Sequence, residues 1–255
     1  MTETALVTGA ASGMGRIVAR RLAAAGYRVA AVDLNEAGLA ETARLAPGTR
    51  THVCDVSDAA ALRTVVDEVR AELGPLARVV HAAGFARVGG ALTQDVSDIR
   101  RLIEVNYLGT VNLCQAVIPA MRAAGTGTVV LFASMAGWLS SPGLSAYAAS
   151  KFAVIGYVDA LYQELHGSGV RLLCVCPPHV ETPFLEGVRA VDPAVLAGQR
   201  GMSPERVVDD MEKALAGRRT PLYIFPGQAH ALVLARRFAP NLLRRQIVRM
   251  VKPTV

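Results

Sequence analysis

Residues 5–15 read A-L-V-T-G-A-A-S-G-M-G, and this stretch decides the fold. A short apolar run, Ala5–Thr8, meets glycines at 9, 13 and 15, and a helical pattern then runs over Gly13–Ala25. A strand that turns into a helix through glycine gathers backbone N–H groups and the positive helix end at one point, where a pyrophosphate binds. The spacing is G-x-x-x-G-x-G, not the more widespread G-x-G-x-x-G, so the turn takes its meaning from what flanks it.

Outward from that turn the alternation repeats. Brief runs at Arg28–Asp33, Arg50–Cys54, Arg78–His81, Thr128–Ala133 and Val170–Val175 are rich in Val, Ala or Leu and lack polar alternation, as strands buried on both faces do. Helical patterns lie between them near Glu36–Leu45, Asp58–Leu73, Ser97–Ala124 and Ala146–His166. Asp58 and Ser97 are expected N-caps, and Gly26, Gly74 and Gly125 fall just past helix ends. Repeated β-α-β units with right-handed crossovers predict an α/β fold, a doubly wound parallel sheet of the Rossmann kind. With no repeat and no dividing linker, residues 1–226 are expected as one dinucleotide-binding domain and 227–255 as a basic helical extension.

Composition narrows the class. The 255 residues are 52% hydrophobic and 19% charged, which excludes a disordered chain and leaves ample material for one core. Four cysteines without a C-x-x-C pair suggest buried thiols in a reducing cytoplasm, with no metal site. Cys174 and Cys176 are expected on opposite faces of their strand. The opening M-T-E-T shows no targeting signal, and the uncharged stretch Ala123–Ser150 is broken by Gly, Ser, Thr and Pro, so it reads as sheet and loops, not a membrane span. The net charge of +6 is uneven: residues 1–212 hold 18 of the 27 basic residues and all 21 acids, leaving a basic, acid-free C-terminus.

Asp33 ends the second strand, 18 residues beyond Gly15, where a carboxylate accepts from the 2′-hydroxyl of NAD and repels the 2′-phosphate of NADP. Ser12 and Leu34, the neighbouring positions, carry no compensating cation; Arg16 is the nearest one on the first helix and works against this reading. NAD is therefore expected over NADP. A plainer reading makes Asp33 the N-cap of the next helix.

Tyr147 and Lys151 stand at i and i+4, on one face of the fourth long helical pattern. With three lysines and six tyrosines in the chain, such a pair arises by accident with a probability on the order of 0.07. An ammonium beside a phenol favours the phenolate, which can exchange a proton with an alcohol or ketone. Ser134 follows the fifth strand at the carboxyl edge, where open α/β sheets bind ligands, and Asn106 is an amide in mid-helix, where propensity disfavours it.

T-G-A-A-S-G-M-G (8–15), Asp55-Val56, H-A-A-G (81–84), Asn106, Ser134 and Y-A-A-S-K (147–151) occur in the order of the short-chain dehydrogenase/reductase family, which residues 4–183 resemble. The resemblance implies Tyr147 as acid/base, Lys151 on the nicotinamide ribose and lowering the Tyr147 pKa, Ser134 on the substrate oxygen, and Asn106 holding a relay water. It implies cofactor contacts from Gly9, Ser12, Gly13, Met14, Gly15, Asp33, Asp55, Val56, Ala83, Gly84, Pro177 and Thr182, with Asp55 at the adenine, Gly84 beneath the nicotinamide ribose and Thr182 at the carboxamide. A homodimer or homotetramer is implied too, paired through the helices of Asn106 and Tyr147. Two departures stand out. His81 replaces a polar residue that ties adjacent strands and is expected to keep that structural role, and Pro177-Pro178 replaces Pro-Gly.

Loops after the strands carry Met135, Trp138, Leu139, Leu144, His179, Phe184, Leu185 and Val188 with almost no charge, which predicts an apolar pocket for a lipophilic secondary alcohol or ketone, steroid-like or long-chain acyl. His179 is open between a substrate contact and a surface histidine. Pro221–Phe225 is expected as a last strand, and Ala229–Phe238 and Asn241–Val251 as amphipathic helices with arginines on one side. Those helices are candidates for peripheral contact with the inner membrane surface, or for packing on a sister subunit or over the pocket; nucleic acid is not expected. The expected protein is thus an NAD(H)-dependent oxidoreductase, with an NADPH-dependent ketone reductase and a non-catalytic nucleotide-binding partner protein as alternatives.

Overall fold

The computed structural model describes residues 2–184, 201–217 and 219–227, and residues 233, 234, 236, 238–241 and 245 beyond them. Seven parallel strands form one sheet in the order β3-β2-β1-β4-β5-β6-β7. They are β1 (Thr4–Thr8), β2 (Arg28–Asp33), β3 (Arg50–Val53), β4 (Leu76–His81), β5 (Gly127–Phe132), β6 (Val170–Val175) and β7 (Tyr223–Ile224). The helices are α1 (Gly13–Ala24), α2 (Glu36–Leu45), α3 (Ala59–Leu73), α4 (Val96–Ile103), α5 (Gly109–Ala124), α6 (Ser145–Glu164) and α7 (Pro204–Ala216). The strand order reverses between β1 and β4, so the turns leaving these two strands diverge and open a crevice at the carboxyl edge.

The period of two along each strand splits the core into two layers. Leu6, Val79, Leu131 and Leu172 face α3, α5 and α6 through Leu62, Leu113 and Val154, while Ala5, Val7, Val130 and Leu173 face α1 and α7 through Val18 and Met211. The expected doubly wound sheet is confirmed.

Local differences have local causes. Asp95, not Ser97, caps α4, its carboxylate accepting the Ser97 N–H at 2.7 Å. The expected helix Ser97–Ala124 is interrupted by one π-helical turn, Glu104–Leu108, on which Asn106 sits. Helix α7 was not expected, although Ser203 caps it and Pro204 opens it. Cys174 on β6 and Cys176 just beyond it point to the same side with sulfurs 4.0 Å apart, as residues two apart in extended chain do, which corrects the opposite-face expectation. All four thiols are free and buried.

Most of the predicted C-terminal helices lies outside the described residues. Within them, the Arg236 guanidinium lies over the Phe152 ring of α6, 4.8 Å from its centre. No helix among the described residues is long and apolar enough to cross a membrane.

Candidate active site

At the mouth of the crevice the glycine turn is as narrow as backbone allows. Gly9 has φ +68, and a Cβ there would stand 2.6 Å from the Ala82 carbonyl carbon and the Ala83 nitrogen. A Cβ on Gly15 would run into the Gly9 carbonyl, and one on Gly13 would meet the Thr182 methyl at 3.3 Å. Ser12 precedes α1 in extended backbone without a side-chain cap, whereas Asn35, Asp58 and Asp95 cap α2, α3 and α4. The first-turn amides of α1 thus lack a side-chain cap in the glycine cradle, and Met14 packs against the α1 layer of the core. This arrangement fits a pyrophosphate.

Asp33 closes one side of that cradle. Its carboxylate accepts the N–H of Ala11 and of Asn35, each at 3.0 Å. Asn35 caps α2, accepting the Gly38 N–H at 3.0 Å, so the helix-cap reading of Asp33 falls. Arg16 donates from Nε to Thr42 Oγ1 at 3.0 Å and from Nη2 to the carbonyls of Gly38 (3.2 Å) and Ala11, which ties its guanidinium to α2 and to the glycine turn. Leu34 is 63% exposed beside it.

Beyond β3, Asp55 Oδ1 accepts the Ser57 N–H (2.9 Å) and hydroxyl (2.7 Å), and Oδ2 accepts from Arg101. Burial acts to raise this carboxyl, but the Ser57 and Arg101 bonds outweigh it and hold the group below its ordinary value. Val56 is buried and fills the space that Gly109 leaves: a Cβ on Gly109 would sit 2.7 Å from Val56 Cγ2.

The chemical end lies between β4, β5 and α6. Tyr147 and Lys151 are 8% and 5% exposed, one turn apart on α6, with the ammonium 5.9 Å from the phenol ring centre. Lys151 Nζ donates to the Phe132 carbonyl at 3.0 Å. Ser134 accepts the Ala136 N–H at 3.1 Å, and its side chain acts on the Tyr147 phenol. Burial pushes the Tyr147 phenol up to about 12, with the Ser134 bond acting against it, and pushes Lys151 down to about 8. In the protein alone burial displaces both groups towards their neutral forms, and neither acts on the other, which corrects the expected lowering of the Tyr147 pKa by Lys151.

Asn106 is 1% exposed, and both ends of its side-chain amide are hydrogen-bonded. Nδ2 donates to the Phe85 carbonyl and to Ser150 Oγ, and Oδ1 accepts the Phe85 N–H, all at 3.0 Å. Its side chain thus clamps the loop after β4 to α6. Gly84 lets this happen: a Cβ there would stand 2.9 Å from Asn106 Oδ1 and 3.5 Å from Lys151 Nζ. The Ala83 N–H points to Thr8 Oγ1 at 3.4 Å, and the Pro177 carbonyl accepts the Met135 N–H at 2.9 Å, tying β6 to the Ser134 loop. His81 Nδ1 lies 2.6 Å from Thr8 Oγ1 and joins β4 to β1, while burial pushes the imidazole down to about 3; its expected structural role holds.

The apolar wall differs from the expected one. Trp138 turns away into the core, its indole N–H donating to Cys176 Sγ at 3.3 Å and its ring edge-on to Tyr223 (5.2 Å) and Phe225 (5.5 Å). Phe184, 5.9 Å from the Tyr147 ring, and Leu144 do flank the tyrosine, joined by Phe85 and Ala86. The last two were missed, though they directly follow H-A-A-G. Met135 is buried, and the His179 side chain is 9% exposed and 3.4 Å from the Glu181 carboxylate, so it is no surface histidine. Leu185 and Val188 lie outside the described residues.

Comparison with known proteins agrees with this geometry. The chain matches the family profile described as short chain dehydrogenase over residues 3–192. It is 41% identical over 210 residues to D-threitol dehydrogenase of Mycolicibacterium smegmatis, covering 81% of this chain and 78% of that one. It is 31% identical over 256 residues to estradiol 17-beta-dehydrogenase 11 of Homo sapiens, covering 96% and 83%. A solved short-chain dehydrogenase from Streptomyces avermitilis superposes with a TM-score of 0.83 at 28% identity, covering 98% and 96%. Another, from Burkholderia cenocepacia in complex with NADP, shares the fold with a TM-score of 0.83 at 22% identity, covering 97% and 98%. Profile, relatives and architecture converge: the chain belongs to the short-chain dehydrogenase/reductase family and is an oxidoreductase acting on CH–OH donors.

Proposed function

We propose that this protein is an NAD(H)-dependent oxidoreductase of a lipophilic secondary alcohol/ketone pair. The observation that carries the reading is the convergence of Tyr147, Ser134 and Lys151 at the carboxyl edge, beneath an apolar wall of Phe85, Leu144 and Phe184. The nicotinamide, when bound, supplies the hydride acceptor or donor. Tyr147 exchanges the proton of the substrate hydroxyl, Ser134 orients the substrate oxygen, and Lys151 holds the nicotinamide ribose. Gly9, Gly13 and Gly15 admit the pyrophosphate and Asp33 takes the adenosine ribose.

NAD is favoured because Asp33 faces the turn while Arg16 is committed to Ala11, Gly38 and Thr42. NADPH-dependent ketone reduction is the second reading, supported by the NADP complex of a protein with this fold. A small polyol as substrate is favoured by the likeness to D-threitol dehydrogenase, and the apolar wall speaks against it. A dimer or tetramer through the helices around Asn106 and Tyr147 is supported by the exposure of Leu108 on the π-helical turn and Tyr162 on α6.

The test is a titration with NADH and with NADPH by nicotinamide fluorescence, followed by turnover of lipophilic secondary alcohols and of threitol. Tighter NADH binding and faster oxidation of the lipophilic alcohols are expected. Tyr147→Phe should lower turnover by about 10²–10⁴-fold and leave NADH binding in place; a variant turning over at the wild-type rate overturns the assignment.

A further inference from the structure

Two segments that the proposed chemistry does not use are fastened to the first two turns of α6. One is the loop after β4, which ends in a tight turn at 90–94, where Thr93 and Gln94 donate their N–H groups to the Gly90 carbonyl at 3.1 and 2.9 Å. Gly89 pairs with Leu144, the residue before α6, and donates its N–H to the Gly143 carbonyl at 2.9 Å. The other is the C-terminal tail, held by the Arg236 guanidinium 4.8 Å from the centre of the Phe152 ring. Leu144 packs beside Tyr147 and Phe152 directly follows Lys151, so both attachments border the mouth of the active site.

These segments carry the apolar side chains that water sees most. Among the described residues, Leu92 (99%), Phe238 (78%) and Val96 (68%) are the most exposed large hydrophobics, and Leu234, one helical turn before Phe238, is exposed too. Scattered exposed apolar residues are ordinary, but their gathering around one opening marks a surface for a partner. The charge beside them has one sign: residues 229–255 hold six Lys or Arg and no Asp or Glu. Arg236 is taken up by Phe152, and the others include the exposed Arg245. Apolar tips accompanied by cations fit the boundary of an anionic bilayer, where side chains enter the acyl region and guanidinium groups stay among the phosphates. A sister tail carries the same charge and repels this one, and a nucleic acid would take the arginines but leave Leu92 and Val96 in water.

We propose that this face docks on an anionic phospholipid bilayer: Leu92, Val96, Leu234 and Phe238 enter its interface, the cations of the tail bind its headgroups, and the mouth of the active site opens onto the lipid. The inference goes beyond the proposed oxidoreductase activity and gives a lipophilic alcohol a route from the bilayer to Tyr147.

The test is co-sedimentation of the full chain with vesicles of phosphatidylcholine, alone or with about one quarter phosphatidylglycerol, at about 0.05 M and about 0.5 M salt. NADH binding by nicotinamide fluorescence and subunit count by light scattering are measured beside it. Wild type should prefer the anionic vesicles by about 10²-fold and lose that preference at high salt. Phe238→Ser should lower partitioning by about tenfold and Leu92→Ser by about threefold. Arg245→Gln/Lys252→Gln should lower it by about tenfold, and all three should keep NADH binding and subunit count. The proposal is overturned if wild type ignores the anionic vesicles or binds neutral ones as tightly. It is overturned too if Leu92→Ser or Phe238→Ser partitions as wild type does, or if either changes the subunit count, which would put a sister subunit on this face. Should a serine variant not fold, the lipid and salt dependence of wild type and of Arg245→Gln/Lys252→Gln decides. A chain that binds NADH but no vesicles removes this proposal alone; one that binds vesicles but no NADH keeps it and removes the dinucleotide reading.

Discussion

The Lys151 ammonium donates to the Phe132 carbonyl at 3.0 Å and so fastens α6 to the end of β5 from inside the protein. A charge in that position is held at a loss, because burial pushes Lys151 from the ordinary 10.5 down to about 8. Below about 8 both folded and unfolded chains carry the proton and the full burial penalty applies. Between about 8 and 10.5 the unfolded chain still holds a proton that the folded chain has released, so this group makes stability rise with pH. Lys151→Met should be inactive, at least as stable as wild type near neutrality, and lacking that rise. Melting curves of both proteins from about pH 7 to about pH 10 measure the difference.

Asp33 offers a test of cofactor choice that does not depend on finding the substrate. Asp33→Ala removes the acceptor for a ribose hydroxyl and the charge that repels a 2′-phosphate. The ratio of NADPH to NADH affinity should move towards NADPH by about tenfold or more. If the protein uses NADPH in spite of Asp33, the ratio should hardly move.

His81 sets an acid limit on the fold. Its folded-state value is pushed from 6.5 down to about 3, so between these values only the unfolded chain takes up the proton, and stability is lost as pH falls through that window. His81→Asn can keep the link to Thr8 without a titrating ring. Urea unfolding at about pH 7 and about pH 4.5 should show a smaller acid loss in the variant.

Trp138 and Phe184 separate packing from specificity. Trp138→Leu should destabilise the fold by about 1–3 kcal/mol, through lost contacts with Tyr223, Phe225 and Cys176, and leave KM for the alcohol unchanged. Phe184→Ala should raise that KM by about tenfold with little effect on melting. The reverse pattern would return Trp138 to the pocket.

These assignments show which parts of the molecule could be read in the sequence. Strands buried on both faces leave uninterrupted apolar runs, and glycine marks where they turn, so β2, β6 and α2 were placed to the residue. The Tyr147–Lys151 pair was legible because one helical turn spaces it. The π-helical turn at Asn106 was not, since one extra residue per turn leaves the apolar pattern on either side intact. Trp138 was misread because a large aromatic in a loop looks the same whether it faces a ligand or the sheet. Arg101 was overlooked because its partner Asp55 is 46 residues away, and no local spacing announces a pair that only the sheet order brings together.

The four cysteines have a practical consequence. Cys54 follows β3, Cys114 lies within α5, Cys174 is on β6 and Cys176 just follows it, none more than 5% exposed. A thiol reagent can therefore reach them only when the structure around each one opens. Labelling rates at these positions, resolved by mass spectrometry, would map local against global opening along the molecule with the natural residues as the only reporters.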